Sequence, residues 1–138
     1  MPAKGWNPGR VRGAKQIPRA VKQRTAQRIR RYGEEHFAGW YVRLDIRFKD
    51  EFCYIDAYHE VPSNWSPDAS EEMRERWRTT PNQLCRLRYF GSEDHWGFAT
   101  YDFMYDTYSL IFTLPLGGFF GTPEEAFQRA AEVGLIKP

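Results

Sequence analysis

Residues 40–60 carry the pattern that most restricts the fold. Apolar and polar side chains alternate along WYVRLDIRFK, as in a strand with one buried face, and the apolar set is Trp40, Val42, Leu44, Ile46 and Phe48. After Asp50-Glu51, FCYIDAYHE alternates again, with Cys53, Ile55 and Ala57 facing inward. A two-residue turn brings the two apolar sets face to face, which predicts an antiparallel hairpin. The expected cross-strand pairs are Phe48–Cys53, Ile46–Ile55 and Leu44–Ala57.

A helix is predicted near each end of the chain. From Pro18, residues suited to packing recur at helical spacing, and the predicted docking face is Val21, Thr25, Ile29, Tyr32 and His36. Near the C-terminus, TPEEAFQRAAEVG has Thr122 as cap, Pro123 at the first helical position and Glu125 three residues after the cap. This is the pattern of a capping box, and Gly134 is predicted to end the helix.

Three further strands and a short helix are predicted between these elements. The strands are QLCRLRYF, WGFATYDF and TYSLIFTL, and the turns between them favour a meander. Residues 61–82 contain three prolines and form a loop, in which Ser66-Pro67 is the predicted start of the short helix. The predicted fold class is α+β: a five-stranded, mainly antiparallel sheet packed by an N-terminal and a C-terminal helix, in a single domain over residues 18–138.

The charge of the chain is divided between two parts. Residues 1–33 hold ten Lys and Arg residues and no acid, whereas residues 34–138 hold ten cations and eighteen acids, a net charge of −8. Residues 1–17 mix Gly, Pro and cations without periodicity, which predicts a flexible basic arm. Such an asymmetry favours a polyanion or an acidic protein surface as the partner.

Two sets of side chains are candidates for contacting this partner. The arm and the first helix supply cations that neutralise phosphates and release counterions: Arg10, Arg12, Lys15, Arg19, Lys22, Arg24, Arg28 and Arg31. The predicted solvent side of the hairpin interleaves rings with arginines, as single-stranded nucleic acid requires: Tyr41, Arg43, Arg47, Tyr54 and Tyr58. The alternative is that a helix covers this face, or that Arg–Tyr pairs only stabilise the sheet.

One pair of carboxylates is a candidate metal site. Asp45 faces Asp56 in the predicted register, and neighbouring carboxylates bind Mg²⁺ or Mn²⁺ in phosphodiester hydrolysis. The alternative is a surface charge ladder in which Arg43 and Arg47 neutralise the pair. Cys53 and Cys85 are interpreted as buried, reduced thiols.

The segments YIDAY, LCRLRYFG, WGF and GTPEEAF resemble segments shared by a group of small uncharacterised bacterial proteins. The resemblance covers about residues 20–133 and implies a shared fold, without an activity. The C-terminal strands and the helix opened by a Thr/Glu/Glu/Ala run are also similar to HicB-type antitoxins. No functional residue is transferred from either group.

These patterns together predict a non-catalytic, cytoplasmic binding protein that uses its basic arm and helix on a polyanion, which we expect to be nucleic acid. We expect no cofactor and no membrane association, since no apolar stretch approaches the roughly 20 residues of a membrane span. Two alternatives remain open. One is an assembly or accessory subunit whose arm docks on an acidic protein surface or, in a homo-oligomer, on another copy of the chain. The other is a metal-dependent hydrolase at Asp45 and Asp56.

Overall fold

The computed structural model describes residues 13–60, 67–102, 106–109 and 119–137. Within these ranges the chain forms three helices and six strands. In chain order they are α1 (Arg19–His36), β1 (Arg43–Lys49), β2 (Phe52–Tyr58), α2 (Glu71–Thr79), β3 (Asn82–Ser92), β4 (His95–Asp102), β5 (Thr107–Ser109), β6 (Phe120–Gly121) and α3 (Pro123–Gly134). The sheet is antiparallel, with the order β1-β2-β3-β4-β5 and with β6 paired to β4. The predicted α+β class is confirmed, and β6 is an additional strand that the sequence did not predict.

The hairpin of β1 and β2 has the predicted register. The cross-strand pairs are Phe48–Cys53, Ile46–Ile55 and Leu44–Ala57. The predicted inward position of Val42 is wrong, because its side chain is 65% exposed. Val42 lies in a bend just before β1, where its N–H still donates to the carbonyl of Tyr58 at 2.6 Å, so the strand alternation does not yet govern its side chain.

The two long helices cover one face of the sheet. α3 packs on β3 and β4, and α1 packs on α3 and β1. Aromatic side chains fill the space between helices and sheet, since Phe127 is fully buried and meets Phe37 edge-on at 5.7 Å between ring centroids. Cys53 and Cys85 are buried in this core as free thiols, as predicted.

The docking face of α1 differs from its prediction in the last turn. Val21, Thr25 and Ile29 are buried as expected, but His36 is exposed because the chain turns into the core at Phe37, after the helix ends. Gly33 takes a buried place on this face. A Cβ at Gly33 would collide with the Tyr41 hydroxyl and lie 3.2 Å from its Cζ, so glycine is needed for this close approach.

The ends of the other two helices show one success and one error of sequence interpretation. In α3, the predicted capping box between Thr122 and Glu125 is formed in both directions. In α2, the predicted start at Ser66-Pro67 is wrong, because Pro67 lies in a turn and the helix begins at Glu71. Ser70 caps it by accepting a hydrogen bond from the Met73 N–H at 3.2 Å. Ser66 itself lies outside the described residues.

Part of the segment predicted as a flexible arm belongs to the packed body. Ile17 is buried in the core, and the N–H of Lys15 donates to the carbonyl of Tyr89 at 3.0 Å. The boundary drawn at residue 17 therefore lies too far along the chain, because Ile17 has apolar neighbours that its local sequence does not reveal. Residues 1–12 and 110–114, predicted as arm and strand, lie outside the described residues. No helix in the described ranges is both long and apolar enough to cross a membrane.

Candidate functional site

The sheet face opposite the long helices carries a set of arginines and aromatic rings, which we call the Arg–aromatic face. Its members follow from strand register, since Tyr54 lies between Arg47 and Arg86, and Phe52 lies beside Arg88. The alternate residues of the same strands, such as Cys53 and Leu87, point into the core. The full set is Arg43, Arg47, Phe52, Tyr54, Tyr58, Arg86, Arg88 and Tyr108.

Each arginine of this face lies over a ring. The guanidinium carbon of Arg43 is 4.1 Å from the centroid of Tyr58, and that of Arg47 is 5.4 Å from the centroid of Tyr54. The guanidinium carbons of Arg86 and Arg88 are both 4.4 Å from the centroid of Phe52. These contacts lie within the range of cation–π attraction and keep the guanidinium groups next to the rings.

Four of the five predicted hairpin contacts lie together on this face: Arg43, Arg47, Tyr54 and Tyr58. The predicted position of Tyr41 on the same face is wrong. Tyr41 precedes β1 and packs half-buried against the helix-side core, beside Gly33. Burial raises the pKa of the Tyr41 hydroxyl, as expected for a ring enclosed between helix and sheet.

Two of the predicted helix cations are held by acids of the same chain. Arg24 donates two hydrogen bonds to the carboxylate of Glu93, at 2.8 and 2.9 Å, which lowers the pKa of Glu93. Arg28 forms a bidentate pair with Glu124, at 2.7 and 2.8 Å, and also contacts Asp94 at 2.9 Å. The predicted cationic side of α1 is therefore interrupted, because these guanidinium groups tie α1 to the β3–β4 turn and to α3.

The remaining predicted cations differ in what the structure shows of them. Lys15, Arg19 and Arg31 are exposed and Lys22 is half-buried, and none of the four forms an ion pair within the described ranges. Arg10 and Arg12 lie outside the described residues. Exposed cations thus lie before α1 at Lys15, at its first residue Arg19, and in its second half at Arg31.

Asp45 and Asp56 face each other across the hairpin as predicted, and Arg47 bridges them. Its Nη2 lies 2.9 Å from Asp56 Oδ2 and its Nε lies 3.5 Å from Asp45 Oδ2. A guanidinium group therefore stands between the two carboxylates, where the metal hypothesis requires a cation. The described residues contain no cluster of three or more His, Cys, Asp or Glu side chains suited to a metal ion. The geometry matches the charge-ladder alternative.

Asp56 is 4% exposed, and burial raises its pKa while Arg47 opposes this effect. Because the folded state then binds the proton more tightly than the unfolded chain, the contribution of Asp56 to stability falls as the pH rises through the folded-state pKa. We expect Asp56→Asn, which mimics the protonated acid, to raise the free energy of unfolding at pH 7. The gain should vanish below about pH 4, the ordinary range of an Asp. Urea denaturation at both pH values measures this difference.

The partly exposed neighbour Asp45 provides the control for this substitution. Asp45→Asn removes the same charge from the same pair, and its effect on stability should stay within about 0.5 kcal/mol. A lower stability of Asp56→Asn at pH 7 would show instead that the ion pair with Arg47 outweighs the cost of burying the carboxylate.

Sequence interpretation missed three members of the Arg–aromatic face: Arg86, Arg88 and Tyr108. The alternation of β2 places Phe52 on the solvent side of the hairpin, although it was not among the predicted contacts. A signal for two of them was present, because Arg86 and Arg88 alternate with the apolar Cys85 and Leu87 in LCRLRYF. Their place beside the hairpin tyrosines depends on the pairing of β3 with β2, which no local pattern specifies. Burial raises the pKa of Tyr108 to about 12, so its ring is present in neutral form.

A cleft of about 250 Å³ crosses the same face along β4, and we call it the β4 trough. Its lining includes Gly97 and Ala99. The rings of Phe90 and Phe120 lie close to Gly97, since a Cβ there would be 3.1 Å from Phe90 Cε2 and 3.7 Å from Phe120 Cε1. The sides of the trough include Arg86, Arg88 and Phe120. The trough thus combines flat apolar surface with two cations.

The side chains of this sheet face are of the types that bind flat rings and anions. Aromatic rings stack on planar groups, and guanidinium groups bind phosphate or carboxylate oxygens.

Comparisons with protein-family models, with curated proteins and with solved structures found no match for the chain.

Proposed function

We propose that this chain is a non-catalytic binding protein for single-stranded nucleic acid, with the Arg–aromatic face as its binding surface. The observation that carries the proposal is the placement of four guanidinium groups over rings of one sheet face, with their carbons 4.1 to 5.4 Å from the ring centroids. Cations and rings are thereby fixed side by side before a ligand arrives, which lowers the entropic cost of binding.

A single strand needs these two kinds of group at short intervals. Each stacked base contributes about 1–3 kcal/mol, and each neutralised phosphate releases a counterion. Adjacent strands of a sheet lie about 4.8 Å apart, so rows of side chains on β1, β2 and β3 offer a cation or ring at every step across the face. A double helix hides its base faces and would use only the cations.

The N-terminal segment enters this surface at its β3 side. A Cβ on Gly13 would lie 3.5 Å from Cδ1 of Phe90, and Phe90 lines the β4 trough. The cations Arg10 and Arg12 immediately precede this contact in sequence. They are therefore proposed to add phosphate contacts next to the face, together with the exposed Lys15.

Two structural observations disfavour the alternatives. Arg47 stands between Asp45 and Asp56, so a hydrolytic metal would have to displace a guanidinium group. A basic arm docking on the chain's own acids would compete with Arg24 and Arg28, which already bind Glu93 and Glu124.

Two charge-matched variants test the proposal. The sheet variant combines Arg43→Gln, Arg86→Gln and Arg88→Gln, and the helix variant combines Arg19→Gln, Lys22→Gln and Arg31→Gln. We expect the sheet variant to bind a labelled single-stranded oligonucleotide more weakly, with a salt slope of log K reduced by about 2, or 0.7 for each lost contact. Fluorescence anisotropy at several salt concentrations measures both quantities.

The helix variant has lost the same charge and is expected to keep most of the affinity. An equal loss in both variants would show attraction by net charge alone, and an absence of binding by the intact chain at low salt would refute the function itself. Oligo(dT) and oligo(U) arms distinguish DNA from RNA, since the 2′-hydroxyl separates the two backbones.

A further inference from the structure

We propose that the chain forms a symmetric dimer in which β1 pairs with β1 of a second copy, so that the two sheets join edge to edge. This inference goes beyond the proposed function and does not depend on it. Strand β1 lies at the end of the order β1-β2-β3-β4-β5, and among the described residues it pairs with β2 alone.

Three residues of β1 point their backbone hydrogen-bonding groups away from β2. In an antiparallel ladder, hydrogen-bonded pairs alternate with pairs that are not hydrogen-bonded, and the two-residue turn after Lys49 places that residue in a hydrogen-bonded pair. Leu44, Ile46 and Phe48 therefore face the outer edge. The carbonyl of Leu44 accepts a hydrogen bond from Arg30 Nη1 at 3.1 Å, as expected of a group on that edge.

These outward groups are available to a further strand. Within the described ranges, no backbone group outside the β1–β2 hairpin bonds to Leu44, Ile46 or Phe48. The strand has seven residues and no proline, so each outward position has an N–H to donate. Arg30 uses one of the two lone pairs of the Leu44 carbonyl, which leaves the other for a second donor. An unpaired edge of this kind is a template for another strand.

The apolar side chains at this edge are incompletely covered. Leu44 is buried, whereas Ile46 and Phe48 are half-buried and pack at the margin of the core. A second β1 would bring Ile46 next to Ile46 of the other copy, and Phe48 next to Leu44 of the other copy. The removal of this apolar surface from water favours pairing.

The charges of β1 make the strand complementary to itself in one register. When Ile46 pairs with Ile46 of the second copy, all seven residues are paired and Asp45 of each copy faces Arg47 of the other. A register centred on Asp45 would oppose two carboxylates, and one centred on Arg47 would oppose two guanidinium groups. Opposite charges across strands stabilise a ladder, whereas like charges weaken it.

One pair in this register is unfavourable, and it occurs once at each end of the ladder. Arg43 faces Lys49 of the other copy. The guanidinium group of Arg43 lies over the ring of Tyr58 and Lys49 is exposed, so the two charges remain in water, where their repulsion is weak. A change of sign at Lys49 should therefore tighten the dimer.

A two-fold axis closes this assembly at two copies, because each copy contributes its β1 edge to the same interface. Residues opposite each other in an antiparallel ladder project to the same side of the sheet. The two Arg–aromatic faces would thus continue into one another across the paired strands. A second copy supplies the matching pattern of charges in every case, whereas a strand of another protein would need that pattern independently.

The test uses the full chain without nucleic acid, and sedimentation equilibrium from micromolar to millimolar concentration measures the dimer dissociation constant. We expect Lys49→Glu to tighten the dimer about 2- to 30-fold, because two like-charged pairs become pairs of opposite charge. Arg19→Glu is the matched control. It makes the same change of net charge at an exposed cation of α1 and should leave the dissociation constant unchanged.

Asp45→Lys provides a second variant with the opposite effect. It places two cations opposite each other at both Asp45–Arg47 pairs and should weaken the dimer by a similar factor. Asp68→Lys, at an exposed acid outside the sheet, is its control. Thermal unfolding is measured alongside, and Lys49→Glu decides the outcome if Asp45→Lys is unfolded.

Amide hydrogen exchange locates the interface. We expect the amides of Leu44, Ile46 and Phe48 to exchange more slowly as the chain concentration rises, because the second copy then bonds them. The amides of Asp45 and Arg47 face β2 and should change little. This alternation distinguishes pairing at the β1 edge from association through any other surface.

The outcomes decide the dimer separately from the proposed function, since no nucleic acid is present. A chain that stays monomeric at the highest concentration refutes the dimer. A dimer without concentration-dependent protection of the three outward amides refutes pairing through β1, as does an equal effect of Lys49→Glu and Arg19→Glu. Tightening by Lys49→Glu alone, together with the alternating protection, supports the proposal.

Discussion

Tyr54→Leu is expected to weaken binding of a single-stranded oligonucleotide by about 5- to 150-fold, the equivalent of 1–3 kcal/mol for one base–aromatic stack. Tyr54 lies on β2 between Arg47 and Arg86, with Phe52 and Tyr108 at centroid distances of 5.9 and 5.6 Å. It is therefore the ring at the middle of the Arg–aromatic face. Leucine keeps the apolar character of the position and removes only the flat surface. Fluorescence anisotropy measures the change in affinity.

Tyr41→Leu is the matched control for this substitution. Sequence alternation assigned both tyrosines to the same face, whereas the structure packs Tyr41 against Gly33 on the helix side. We expect Tyr41→Leu to lower stability and leave the affinity unchanged. Equal losses of affinity in the two variants would contradict the assignment of the binding surface.

Phe127→Ala is expected to lower the free energy of unfolding by about 3–5 kcal/mol, the usual cost of removing a buried aromatic ring. Phe127 is fully buried between α3 and α1, edge-on to both Phe37 and Tyr32. A loss of this size is a large part of the roughly 5–15 kcal/mol that stabilises a small domain. Urea denaturation should show a lower midpoint with an unchanged slope.

Val133→Ala, on the same helix, controls for helix-wide effects. Val133 is exposed, and its truncation should change stability by no more than about 0.5 kcal/mol. Similar effects of the two substitutions would contradict the role of Phe127 in packing α3 against α1.

Local patterns predicted those parts of the fold that depend on neighbouring residues. The hairpin register follows from the alternation of Leu44, Ile46 and Phe48 with a two-residue turn. The start of α3 follows from the Thr122–Glu125 capping box, in which each residue bonds the backbone of the other. In both cases the determining interactions lie within a few residues of one another, so the sequence itself displays them.

The predictions that were wrong concern features that depend on contacts between distant segments. Arg24 and Arg28 carry positive charge in any local description of α1, but Glu93 and Glu124 reach them only once the β3–β4 turn and α3 are in place. Tyr41 follows the alternation of the hairpin in sequence, yet its ring packs on the helix side, in space that Gly33 leaves free because it has no side chain.

For the same reason, only the part of the candidate site that lies on the hairpin was predicted from the sequence. Arg47 and Tyr54 were identified because they belong to one hairpin. Arg86 and Arg88 join them only through the pairing of β3 with β2, and the β4 trough requires Phe120 to pair opposite Gly97. The surface thus combines three or more chain segments whose proximity no spacing rule reveals.

An amide chemical-shift titration of the full chain with a single-stranded oligonucleotide tests the central claim most directly. It reports where the ligand lies without altering any side chain. The largest shifts are predicted on β1, β2 and β3, around Arg47, Tyr54 and Arg86. Shifts confined to α1, around Arg19 and Arg31, would contradict the assignment of the binding surface to the sheet and would locate it on the helix instead.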